Sequence, residues 1–191
     1  SGDANIGRIA YNNNDNFLAT VVNGAEAMRV HSNSVVSFDD GIALGVGAAN
    51  NTAANVLDDY EEGTFTPAFV NGAGFDSISI VSATGTYTKI GTFVQFNFKV
   101  ELGSASKNGN KIEMSGLPFT TENVSQGSGA IWNLVSSKII NDTSVNLPVL
   151  WIKPNNTTIE YFKTNGAIFT GNDINNTSNT DFYISGSYQV A

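Results

Sequence analysis

The chain has 191 residues, 41% hydrophobic but only 14% charged against roughly 25% in average domains, enough for one domain and an appendage. It has no cysteine, which excludes a disulfide framework, a thiolate zinc site and a cysteine nucleophile. The net charge of −8 is concentrated before residue 63, where Arg8 and Arg29 stand against nine acids; residues 63–191 carry seven lysines and eight acids, so no basic stripe exists to meet a nucleic-acid backbone.

No run of 18 apolar residues occurs, so membrane insertion is not expected. Ser1-Gly2-Asp3-Ala4 does not read as a signal peptide, and the missing initiator Met is expected of a fragment or a processed or trimmed chain. Residues 1–50 read as short extended pieces with frequent turns. Arg8–Tyr11 precedes the turn-former Asn12–Asn16, and Phe17–Val22 ends at Asn23-Gly24, the strongest hairpin signal in the chain. Ala27–His31, a turn at Ser32–Ser34 and Ile42–Gly47 follow. Each piece is too short and too poor in apolar residues to fold alone, so the segment needs another surface, most cheaply identical copies of itself.

Residues 51–63 read as an acidic collar. Asn50-Asn51-Thr52 is placed to cap one or two helical turns over Ala53–Leu57, and Asp58, Asp59, Glu61 and Glu62 follow. From Thr64 the pattern has period two. Strands are expected at Thr64–Val70, Ser77–Ser82, Gly85–Ile90, Thr92–Glu101, Lys111–Ser115, Ala130–Ser137, Pro148–Lys153, Thr157–Phe162, Gly166–Thr170 and Thr180–Val190. Val94, Phe96, Phe98 and Val100 share one face of their strand; Gln95, Asn97, Lys99 and Glu101 share the other. The fold class is therefore all-β: a short stem (1–50), the collar (51–63) and an antiparallel β-sandwich head (64–191).

The stem residues Gly7-Arg8-Ile9-Ala10-Tyr11, Asn23-Gly24-Ala25-Glu26-Ala27-Met28-Arg29-Val30 and Gly45-Val46-Gly47 resemble the repeating stem of tailed-bacteriophage tail fibres. Leu57–Pro67 is similar to the joint before the distal domain of such fibres. Gly85–Gly91, Phe93-Val94, Ser115–Phe119 and Asp181–Tyr188 resemble that domain itself. Ala27 departs from the usual Arg before Met28, and Ser32–Val35 lacks the usual glycine turn. The resemblance implies a homotrimer with an intertwined β stem and a three-sandwich head in the virion tail. Its partners would be other tail proteins at the N-terminal end and a host cell-surface glycan or outer-membrane protein. Three weak head sites would act together by avidity.

Catalytic and metal-ligating sets are sparse. His31, the single histidine, has no acid at a useful spacing and reads as a stem residue; three copies about an axis are the minority, metal-binding reading. The collar acids lie adjacent on a joint, unlike carboxylates held across a glycosidase cleft. No Ser-His-Asp set, phosphate-cradling loop or dinucleotide fingerprint occurs, so no enzyme activity, cofactor or metal is expected. The alternatives are a tailspike-type polysaccharide depolymerase and a purely structural virion fibre.

Trp132 and Trp151 are expected in the core. For a receptor, polar loops on a rigid scaffold are the favoured candidates. These supply Asn108 and Asn110, Asn155 and Asn156, and Asn172, Asp173, Asn175 and Asn176, with Tyr161 and Phe169 beside two of them.

Overall fold

Asn23 and Gly24 both adopt positive φ, 51° and 80°, the backbone a two-residue hairpin turn requires, and this turn organises the first part of the chain. The computed structural model describes residues 6–43, 56–57, 59–123, 133–134, 148–174 and 180–190. It divides into two compact units between Asp59 and Tyr60.

In the first unit, β1 (Gly7–Asn12), β2 (Phe17–Val22), β3 (Ala25–Val30) and β4 (Val36–Phe38) form an antiparallel meander in chain order. The Asn12 side chain accepts the Asn14 backbone N–H at 2.9 Å and closes the β1–β2 turn. Register places Ile9, Tyr11, Leu18, Met28, Val30, Val36 and Phe38 on one face of this sheet. Several are strongly exposed: Ile9 75%, Tyr11 58% and Phe38 44%. On the other face Ala19 and Val21 are buried and the Arg29 guanidinium lies 3.8 Å over the Phe17 ring. A small pair, β5 (Ile42–Ala43) with β6 (Val56–Leu57), completes the unit. The helix expected to run to Leu57 is thus corrected at Val56-Leu57, which are strand; Ala53–Asn55 lie outside the described residues.

The second unit packs two antiparallel sheets face to face. One runs β12 (Asn133–Leu134), β15 (Thr180–Gln189), β10 (Phe93–Lys107), β9 (Phe75–Ile90) and β7 (Tyr60–Phe65); the other runs β13 (Pro148–Ile152), β14 (Ile159–Lys163), β11 (Glu113–Ser115) and β8 (Ala68–Phe69). Val94, Phe96, Phe98, Val100 and Leu102 of β10 and Phe182, Ile184 and Tyr188 of β15 meet Met114, Leu150, Ile152, Ile159 and Tyr161 of the second sheet. The Phe182 ring joins the layers, 5.3 Å from Phe69 and 6.4 Å from Tyr161, both edge-on.

Two expected strands, Ser77–Ser82 and Gly85–Ile90, are one. Irregular register near Glu101–Ser104 lets β9 stay paired with β10 through the break in alternation. The expected collar is also corrected. Tyr60–Gly63 belong to β7, with Tyr60 opposite Ile90 and Gly63 opposite Tyr87. Gly63 leaves room for the Tyr87 ring, since a Cβ there would fall 2.5 Å from the Tyr87 hydroxyl oxygen and push that side chain aside. No α-helix occurs among the described residues; Gly171–Asp173 forms a single 3-10 turn.

Candidate functional site

The outward side of the five-stranded sheet alternates with the core side and carries mostly uncharged polar groups. Register lines up Glu62, Thr88, Gln95 and Ser187 across four strands, then Thr64, Thr86, Asn97 and Ser185, then Thr84, Lys99 and Tyr183. Two depressions meet on this face. One, of about 360 Å³, lies over Asn97, Lys99 and Tyr183; the other, of about 500 Å³, lies over Glu62, Thr88 and Gln95. They share Thr86 and Asn97, so together they form a shallow groove crossing four strands, on the order of 14 Å at the usual strand spacing.

Exposed aromatic rings flank the groove: Tyr183 is 43% exposed, and Tyr60 and Phe93 are exposed toward its other end. Lys99 Nζ donates to Glu101 at 2.9 Å, reaches Asp181 at 3.6 Å and lies 5.5 Å from the Tyr183 ring centre. The bond to Glu101 holds Lys99 above the usual lysine range, and Glu101 is held below the usual carboxylate range by the same contact. The Tyr60 hydroxyl donates to Glu62, which raises the Tyr60 pKa.

The expected loop residues do not form one site. Asn108, Asn110, Asn172 and Asp173 come together at one end of the sandwich, where Gly171 N–H donates to Asn110 O at 3.2 Å. Their side chains mainly fasten the loops. Asn108 Nδ2 donates to Asp76 at 3.0 Å, Asn110 Nδ2 to Gly72 O at 3.1 Å, and Asp173 pairs with Lys163 at 2.7 Å. Asn155 and Asn156 lie at the opposite end, where Asn156 O accepts the Thr121 N–H at 3.0 Å. Asn175 and Asn176 lie outside the described residues, as does Trp132.

Tyr161 and Phe169 are corrections to the expected set. Each is 1% exposed in the core, and the Tyr161 hydroxyl contacts Met114 Sδ at 2.9 Å, so neither presents a face to a ligand. Burial raises the Tyr161 pKa. Trp151 departs from expectation the other way. It points outward from β13, 37% exposed, its ring edge-on to Phe162 at 6.1 Å.

One pair of carboxylates does come together. Glu113 and Glu160 are direct cross-strand partners, both nearly buried. Lys153 Nζ bridges them at 2.7 and 2.8 Å, and Lys111 contacts both as well. Burial alone pushes both carboxyls up, but the lysine hydrogen bonds outweigh it and leave both below the usual range. An acid held in this way stays ionised and is a poor proton donor to a glycosidic oxygen. His31 Nε2 lies 2.9 Å from Ser37 Oγ, and among the described residues no three His, Asp or Glu side chains are grouped to hold a metal ion. No described helix is long and apolar enough to cross a membrane.

No family model and no curated protein matches the sequence. The fold is similar to that of the Dettilon tailspike protein, whose crystal structure superposes with a TM-score of 0.54 at 20% identity. The match covers 68% of this chain and 24% of that protein, so the chain corresponds to about a quarter of the tailspike's length. At this identity the likeness establishes the shared all-β fold.

Proposed function

We propose that this chain is the distal region of a phage tail fibre, a homotrimer in the virion tail that attaches the particle to a host cell-surface receptor, a glycan in the first instance, without chemistry of its own. The observation that carries the reading is the one-sided apolar face of the first sheet. Ile9, Tyr11, Leu18, Val36 and Phe38 lie side by side and open to solvent in a single chain. Covering a side chain of that size is worth about 2 kcal/mol, so the face favours association, and copies of the same strand supply a matching surface. The sandwich unit supports the receptor half of the proposal with a polar, aromatic-flanked groove on a rigid sheet. The tailspike likeness supports a place in a phage tail. Other tail proteins would join at the N-terminal side.

A tailspike-type depolymerase is the second reading, favoured by the name of the structural neighbour. Glu113 and Glu160, both locked to Lys153 and Lys111, do not supply the acid/base pair that reading needs.

Three measurements on the full chain test the proposal: mass by light scattering, binding of a fluorescent form to a panel of intact bacteria, and reducing ends released from their polysaccharide. A trimer that decorates cells and releases no reducing ends is expected. A stable monomer overturns the fibre reading, release of reducing ends moves the chain to the depolymerase class, and a trimer that binds no host favours a structural fibre.

A further inference from the structure

The charges on the groove face narrow the class of ligand. Across this face the described residues carry one cation, Lys99, and three carboxylates, Glu62, Glu101 and Asp181. Lys99 is already engaged by two of those carboxylates and capped by the Tyr183 ring. It is therefore a poor partner for an incoming anion, which would have to displace Glu101 and Asp181 while meeting their repulsion. The remaining groups suit hydroxyls instead. Asn97 offers a planar amide with donors and an acceptor, Thr86 and Ser185 offer hydroxyls, and Tyr183 offers an exposed ring. An aromatic surface with a few convergent polar groups orients a ligand that is part apolar ring face and part hydroxyl edge.

We infer that the groove centred on Asn97 and Tyr183 binds uncharged sugar residues and discriminates against acidic ones, such as uronates. The inference rests on the glycan-attachment reading above and specifies its site and its ligand class. Because two depressions meet at Asn97, the ligand spans more than one sugar ring, with one unit against Tyr183 and another toward Gln95 and Glu62. Neutral recognition also makes binding insensitive to salt, unlike an ion-paired contact.

The test is saturation-transfer NMR on the full chain with methyl glycosides of glucose, galactose, mannose and N-acetylglucosamine, set against glucuronate and galacturonate. The expected result is transfer to at least one neutral glycoside and binding of both uronates weaker by about tenfold or more. That transfer persists between ~50 and ~500 mM NaCl. It is lost in Tyr183→Ala and Asn97→Ala but kept in Tyr183→Phe and in the loop variant Asn172→Ala. Tyr183 is solvent-facing, so its truncation leaves the core intact, and an unchanged melting temperature verifies this. Equal or tighter uronate binding overturns the inference, as does neutral binding that survives both groove variants or silence from every probe. Cell binding separates the two levels. Variants that still decorate host cells as the parent does remove the groove but leave attachment standing, whereas a parent that decorates no cells removes both.

Discussion

Two glutamates can face each other on neighbouring strands only because Lys153 and Lys111 close around them. With Glu113 8% and Glu160 7% exposed, losing one lysine leaves two nearly buried anions sharing the other. Lys153→Met is expected to destabilise the sandwich by about 2 kcal/mol, below the range for fully buried pairs because Lys153 keeps some solvent contact. Chemical denaturation at neutral pH measures this, and the loss should shrink in acid as the carboxylates become protonated. None of this could be read from the sequence, where Glu113 and Glu160 belong to separate strands and only the β11–β14 register makes them neighbours. The groove residues were half legible. Alternation places Gln95, Asn97 and Lys99 on one face of their strand, but nothing in it says which strand lies beside them. That Tyr183 and Ser185 continue the same wall follows only from the pairing of Lys99 with Tyr183 and of Asn97 with Ser185.

At the scale of elements, the four-stranded sheet of the first unit depends on what covers its apolar side. Ile9→Asp places a charge in the middle of that face, where the side chain is 75% exposed in one chain and would be enclosed in the proposed trimer. The expected outcome is a shift from trimer to monomer by light scattering, with the sandwich unit still folded by circular dichroism. A smaller device acts in the second unit. A Cβ at Gly171 would sit 1.7 Å from Gly74 O and 2.7 Å from Asn108 O, backbone atoms of the two loops it packs against. Gly171→Ala should therefore cost about 1–3 kcal/mol through forced backbone shifts, read as a lower denaturation midpoint.

Strand existence was legible wherever period two was clean, as in Phe93–Glu101, and turns wherever Asn-Gly fixed them, as at Asn23-Gly24. Two things were not. The bulged β9 hides its continuity because register shifts break the alternation. The acidic strand β7 reads as a collar in the sequence because nothing local to Glu61 and Glu62 shows that they pair with β9. Both acids stay exposed on that strand, where the Tyr87 hydroxyl donates to Glu61 and the Tyr60 hydroxyl to Glu62.

For the whole molecule, titration sets the working range. Glu113, Glu160 and Asp173 are held below their ordinary values, each by lysine contacts that outweigh burial. Their contribution is complete above the unfolded carboxylate range, near pH 4.5, and disappears as the pH falls through the lower folded values. Tyr188 behaves in the opposite sense. Burial pushes its pKa up to about 12, so its contribution is intact below about pH 10 and is lost as the pH rises toward 12. Melting temperatures should form a plateau from about pH 5 to about pH 10 with a fall on either side. A maximum below pH 4 would contradict the ion pairing described for these acids.

The place of β15 also sets a timetable for synthesis. It lies inside its sheet, between β12 and β10, and pairs Phe93 with Gln189 and Leu102 with Thr180. The β9–β10 hairpin can form while the chain is still emerging from the ribosome, but the free edge of β10 stays unpaired until Thr180–Gln189 arrives. Such distant pairing is slow and leaves a half-built sheet open to wrong partners. A chaperone that shields the β10 edge would therefore raise the yield of folded chain more than one acting on the local meander of the first unit.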